Sequence, residues 1–254
     1  MDIFNSNQFY RSLIKAPLPL SVRNQLGQIA ATTKKTSLST QWSELEHYYK
    51  KFSNHLAFLY GNGYLPLSIP FQDLLASELR HLPCTGEGQI GPGRRSETES
   101  LMGVNELSSV RRLMNDKDLY SVVSLYLNAP AHLHTCQAWW QYPMGPKHIP
   151  SNAQLWHRDR DDLSELKLFF YATDVDDKSG PHAFIPKSHR SELLPDLFHP
   201  QALSNPIVNG TENKFLDDTF WETVGFKGDI KRWIGSAGTC FLEDTRGFHR
   251  AYLP

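Results

Sequence analysis

The chain has 254 residues, 40% hydrophobic and 21% charged, with a net charge of −1 at neutral pH. That balance belongs to a globular chain rather than a disordered one, and it supplies no global field for nucleic acid or an anionic membrane. No apolar run is long enough to span a bilayer, and Met1–Ala16 lacks the basic cap and apolar core of a secretory signal. Three widely spaced cysteines, Cys84, Cys136 and Cys240, argue against a disulfide framework and for a reducing cytoplasm.

The first half reads as helical. Trp42, Leu45, Tyr49, Phe52, Leu56 and Leu59 recur every three or four residues and so line one face of a predicted helix. Ser39 or Thr40 is placed to cap its start, and Gly61-Asn62-Gly63 to end it. Pro70 opens a second predicted helix, with Leu74, Leu75, Leu79 and Leu82 on its buried side. Thr85 to Ser100, rich in Gly, Ser and charge, reads as a loop that serves as a lid. A third helix is predicted over Asn105–Asn115 and a fourth over Lys117–Asn128.

After Ala129-Pro130 the pattern changes. Short apolar and aromatic runs at Leu133–Tyr142, Leu166–Val175, His182–Ile185, Thr239–Leu242 and Phe248–Leu253 are separated by Gly, Pro, Asn and Asp. Many short strands of this kind predict a sandwich or barrel. The fold class is therefore mainly β with flanking helices. A single domain over residues 1–254 is expected, with 1–130 as helical support and lid and 131–254 as the β core.

Within that β half, "WHRD" sets His157 and Asp159 two residues apart. On a strand, residues i and i+2 point to the same face, so an imidazole and a carboxylate enter one space while Arg158 points to the other. Two ligands hold a metal poorly. With one more histidine they form the two-His, one-carboxylate face that leaves positions open on non-haem Fe(II). His249, after the Gly-bounded run "GSAGTCFLEDTRGFH", is the candidate third ligand. His189 competes for that place, but Pro186-Lys187-Ser188-His189 reads as a turn whose histidine satisfies backbone groups. His132 and His134 form a second His-x-His pair near Cys136, read as structural; His148, His182 and His199 read as surface or loop residues. Gln137, Trp139 and Gln141 alternate on one strand face and are candidates to line a co-substrate pocket or to pack as ordinary strand residues. Lys167 shares parity with Phe169 and Tyr171 and is expected to face the cavity.

Together "WHRD", "KLFFYATDVDDKSGPHAFIPKSH" and "GSAGTCFLEDTRGFHR" resemble the phytanoyl-CoA dioxygenase family of Fe(II)- and 2-oxoglutarate-dependent oxygenases, over roughly Cys136 to the C-terminus. The resemblance implies a double-stranded β-helix (a cupin-like jelly roll) and iron held by His157, Asp159 and His249. It implies Fe(II) as cofactor, 2-oxoglutarate and O2 as co-substrates, and hydroxylation of a small molecule at an unactivated C–H bond. Halogenating members carry a small residue where Asp159 stands, so the carboxylate implies hydroxylation. The family places an arginine about ten residues beyond its last iron-binding histidine, where it pairs with the far carboxylate of 2-oxoglutarate. The sequence ends at Pro254, so the expectation is either truncation of a longer chain or service by another cation, with Lys167 as the candidate. A catalytically silent jelly-roll binding module, and a cupin-type hydrolase or isomerase using zinc or manganese, are the alternative functions.

Overall fold

The computed structural model of the protein describes residues 7–37, 45, 48–85, 98–145 and 148–254. Two helices not among the elements predicted above begin it, α1 (Asn7–Lys15) and α2 (Leu20–Ser37). Apolar spacing marks α1, which is strongly amphipathic, more clearly than α2. Leu20 is instead anchored from outside, its N–H donating to the Asn209 carbonyl at 2.6 Å and its side chain buried beside Trp156, Val208 and Phe248.

The predicted helix after Trp42 appears as α3 (Tyr49–Asn62), burying Phe52, Leu56 and Leu59. Tyr49 is 56% exposed and lies off that stripe; Ser39, Thr40 and Trp42 fall outside the described residues. Gly63 ends the helix at φ 82°, a left-handed conformation that costs glycine nothing, and returns its N–H to the Leu59 carbonyl. Strand β1 (Tyr64–Leu67) follows at once.

Helix α4 (Gln72–Arg80) buries Leu75, Ala76 and Leu79. Leu74, expected inside, is 48% exposed, because adjacent residues on a helix lie about 100° apart and Leu75 has taken the inward direction. The third predicted helix is split by extended Leu107 into a 3-10 turn (Val104–Glu106) and α5 (Ser108–Met114). The fourth is α6 (Lys117–Leu127). The Asp116 side chain accepts from the Leu119 N–H at its start, and Asn128 closes it at φ 54°. Of the expected lid, residues 86–97 lie outside the described residues, and Thr98–Ser100 is strand β2. It pairs antiparallel with β3 (Trp139–Gln141), and only these three residues of the predicted strand over 133–142 pair in a sheet.

The remaining strands are β4 (Lys167–Phe170), β5 (His182–Phe184), β6 (Lys231–Arg232), β7 (Cys240–Glu243) and β8 (His249–Ala251). They form two three-stranded antiparallel sheets, β1-β7-β4 and β6-β5-β8. In the first, Lys167 and Tyr64 both align with Glu243, and Phe169 with Phe241. In the second, Phe184 aligns with His249 and His182 with Ala251. The two sheets meet through their side chains. Phe169 lies 4.4 Å from the His182 ring, Tyr64 lies 5.3 Å from Trp233, and Trp233 stacks on Phe241 at 3.7 Å. Leu56, Leu59, Val122 and Leu125 of α3 and α6 pack on Leu65 and Leu242 of the first sheet. Two short helices, α7 (Leu194–Leu197) and α8 (Thr219–Thr223), bring Leu194, Leu197 and Trp221 into the core around Trp156 and Phe248.

Helices hold more described residues than strands do. The expected β-dominated weighting is thus shifted toward helix. The pair α1–α2 adds to the helical part, and each strand stops after two to four residues.

Candidate metal centre

His157 and His249 are brought together by main chain. Each donates its backbone N–H to the other's carbonyl at 3.0 Å, an isolated antiparallel bridge that puts the two residues directly opposite. Their rings lie 4.2 Å apart. Asp159, two residues on, is fixed by its own N–H, which donates to the Thr245 carbonyl at 2.8 Å. One ligand atom from each of His157, Asp159 and His249 lies within 4.8 Å of the others, the one such group of three among the described residues. His157 Nε2 stands 3.7 Å from Asp159 Oδ1, and His249 Nε2 stands 3.4 Å from Oδ2.

The turn that delivers His249 is held from behind. Arg246 pairs with Asp244 through Nε at 2.8 Å and through Nη2, and its Nη1 donates to the Leu163 carbonyl at 3.0 Å. Tyr126 of α6 donates its hydroxyl to Asp244 at 2.7 Å, and the Asp244 N–H donates to the Gly63 carbonyl. Gly247 permits the close approach, since a Cβ there would meet the Phe184 ring at 2.5 Å.

Second contacts orient the imidazoles. His157 Nδ1 lies 2.8 Å from the Leu155 carbonyl and His249 Nδ1 lies 3.0 Å from the Gly247 carbonyl. A carbonyl only accepts, so both Nδ1 atoms carry a proton and the Nε2 edges turn inward. Burial, with His249 alongside, pushes the His157 imidazole down to about 4, so at neutral pH it is an uncharged ligand. Burial pushes the Asp159 carboxyl up, but the hydrogen bond and charge of His249, together with Lys167, outweigh it and hold Asp159 ionised below the usual carboxylate range. Lys167 of β4 reaches Asp159 Oδ2 at 2.5 Å and Asp161 Oδ2 at 3.1 Å. Burial pulls its ammonium down, and Asp159 overrides this and holds it above its ordinary value. A neutral His157 imidazole, a second imidazole from His249 and an ionised carboxylate, converging on one point, fit a divalent metal of the Fe(II) kind.

The face that strand parity assigned to Lys167, Phe169 and Tyr171 is the inward one. Phe169 stacks on Phe241 at 5.1 Å, and Tyr171 donates its hydroxyl to the Trp233 carbonyl while accepting the His182 N–H. Gln137 is not drawn to the metal ligands. It is exposed and lines a separate cavity of about 420 Å³ with Leu101, Asn105, Cys136 and Trp139, and none of the three ligands lines that cavity. Gln141 instead donates to the Tyr252 carbonyl at 2.8 Å.

His182, read from sequence as a surface residue, is corrected. It is 8% exposed on β5, its ring 5.7 Å from that of His249, and its Nε2 shares a 2.8 Å hydrogen bond with Glu243 Oε1. Burial pushes His182 down to about 3 and Glu243 up to about 8. The signal was available. His182 opens a strand two residues before Phe184, and parity sends both inward. His189 does what its turn implied, fully buried with Nε2 3.2 Å from the Tyr60 carbonyl. His132, His134 and His199 are exposed, and His148 lies 3.1 Å from Gln154 Oε1.

No family model matches the chain, and no curated protein matches it. Solved structures similar in outline include the following three. The epimerase SnoN, solved with Fe3+, alpha ketoglutarate and nogalamycin RO, is 16% identical at a TM-score of 0.49, covering 80% of this chain and 78% of that one. EctD from S. alaskensis, solved with 2-oxoglutarate and 5-hydroxyectoine, is 17% identical at 0.48, covering 79% and 70%. AviO1 from Streptomyces viridochromogenes Tue57 is 14% identical at 0.45, covering 79% and 87%. Likenesses this distant decide nothing about chemistry, which rests on the residues themselves.

Proposed function

We propose that the chain is an Fe(II)- and 2-oxoglutarate-dependent dioxygenase that hydroxylates a small molecule at an unactivated C–H bond. One observation carries the reading: His157, Asp159 and His249 converge with both imidazoles fixed as Nδ1–H tautomers, the donor set that leaves open positions on iron. The motif order and spacing that resemble the phytanoyl-CoA dioxygenase family support it. So do the two facing antiparallel sheets, which we read as a double-stranded β-helix forming one oxygenase unit with its helices.

Iron bound there with 2-oxoglutarate supplies O2 activation coupled to oxidative decarboxylation; the protein supplies geometry and shielding. The Leu155 and Gly247 carbonyls hold the two ligand tautomers. Asp159 contributes the negative charge, and its contact with Lys167 fixes the carboxylate. Lys167, whose ammonium lies at the site beside Asp159 and Asp161, would be the cation to pair with the far carboxylate of 2-oxoglutarate. Phe169 and Phe241 keep water from the inner side of the site.

The test is an anaerobic titration with Fe(II) and then 2-oxoglutarate, watched for the visible charge-transfer band of the chelate. The band should form in the wild type and vanish in His157→Ala. Lys167→Ala should weaken the 2-oxoglutarate step more than the iron step. Iron uptake without a band overturns the co-substrate, and no iron uptake overturns the metal centre.

A further inference from the structure

The segment that runs beside the metal-binding strand carries a feature that packing does not explain. Trp156 and Leu216 form an antiparallel bridge, with N–H to carbonyl distances of 2.8 and 2.9 Å in the two directions. Asn213 adds a side-chain bond to the Arg158 carbonyl at 2.9 Å. Alternation across this bridge sends Leu216 into the core, where it is 9% exposed, and sends Phe215 to the side of His157. Phe215 is 53% exposed, with its ring 5.3 Å from the ring of His157 at an interplanar angle of 49°.

Several large apolar side chains of the chain are exposed, and singly such residues need no explanation. Phe215 differs in two ways. It adjoins Leu216, whose bridge to Trp156 lies one residue from the His157–His249 bridge, so its place is set close to theirs. Its ring also touches a metal ligand while most of its own surface stays open. An aromatic face held open beside His157 is suited to receive another ring, since ring pairs gain from edge and stacking contacts beyond the area they bury.

We propose that Phe215 is a substrate-contacting, specificity-determining residue, and that the substrate presents a flat aromatic or conjugated ring to it. The inference rests on the metal-centre reading above. Because Phe215 lies against His157 itself, the ring it receives sits next to the reacting carbon rather than at a remote end of the substrate.

The experiment uses the full chain loaded with Co(II), with metal uptake followed by visible absorption. Wild type, Phe215→Ala and Phe215→Trp are each titrated with naphthalene-2-methanol and with its fully saturated analogue, and paramagnetic broadening of the probe protons reports proximity to the metal. The wild type should broaden the aromatic probe and bind it more tightly than the saturated one. Phe215→Ala should weaken aromatic binding about 10-fold while leaving Co(II) uptake unchanged, and Phe215→Trp should restore it. Absence of broadening in the Co(II)-loaded wild type, equal binding by Phe215→Ala, or no preference between the probes overturns the role of Phe215 alone. Failure of the wild type to take up Co(II) overturns the metal centre, and this inference with it.

Discussion

Trp156, Arg158, Phe248 and Arg250 alternate along the same two segments as His157, Asp159 and His249, in very different surroundings. Trp156 is 0% exposed and donates its indole N–H to Asp218 at 2.7 Å. Arg158 lies in the interior with its guanidinium 3.9 Å from the centre of the Phe248 ring, donating to the Val208 and Ser188 carbonyls at 3.1 Å each. Arg250 donates to both oxygens of Asp218. This rear face uses its polar groups to tie loops to the core. The front face ties the Nδ1 atoms of its histidines to carbonyls and Asp159 to Lys167, and leaves both Nε2 edges facing Asp159. One pair of bridged segments thus separates stability from chemistry by strand parity alone, and its two faces should fail differently.

The largest effect should come from the rear. Trp156→Ala removes a fully buried ring from the core and is expected to cost about 3–5 kcal/mol of stability, read as a fall in thermal midpoint. A midpoint within a degree or two of wild type would mean that the two faces are not divided as described. On the front, Asp159→Ala should lower metal affinity by at least about 100-fold and abolish turnover. Its thermal midpoint should stay close to wild type, because Lys167 keeps Asp161 as a partner. Calorimetric metal titration checks this, and retained affinity would remove Asp159 from the ligand set.

Acid should sharpen the contrast next. Burial pushes His157 and His189 down to about 4 and His182 down to about 3. The unfolded chain, titrating near pH 6.5, therefore binds more protons than the folded one below that pH. Stability of the metal-free protein should be lost as pH falls from about 6.5 toward 4; Glu243, pushed up to about 8, keeps its proton in the folded state over that window and offsets part of the loss, leaving on the order of a few kcal/mol. Urea unfolding at stepped pH measures it, and a flat profile across that window would contradict neutral buried rings. The smallest effect concerns neither face. Lys187 adopts φ 72° in the Pro186–His189 turn, a conformation that favours glycine. Lys187→Gly is expected to gain up to about 1 kcal/mol, less whatever its exposed bond to Asp196 contributes. A clear loss in chemical denaturation would show that the turn is not strained.

Much of this was legible before any coordinates. The apolar spacing of Phe52, Leu56 and Leu59 placed α3, and glycine at 63 ended it, because helix periodicity and left-handed caps are local properties. The His-x-Asp pair declared a common face because strand parity is local too. Other features were beyond local signals. Helix α2 has only a weak stripe to announce it and is held by contacts such as Leu20 with Asn209. Leu74 and Leu75 were equally apolar, and only the core chose between them. The burial of His182 depended on Glu243, sixty-one residues away, arriving on a facing sheet.

The sequence by itself thus determined that His157 and Asp159 share a strand face, since that follows from side-chain identity and a two-residue repeat. Only the tertiary structure decided that His249 closes the group, that Lys167 reaches Asp159, and that Gln137 lies elsewhere. These are long-range pairings. They are set by which backbone groups find partners across the sheets, such as the bridge between His157 and His249, and no periodicity along the chain encodes the distance between them.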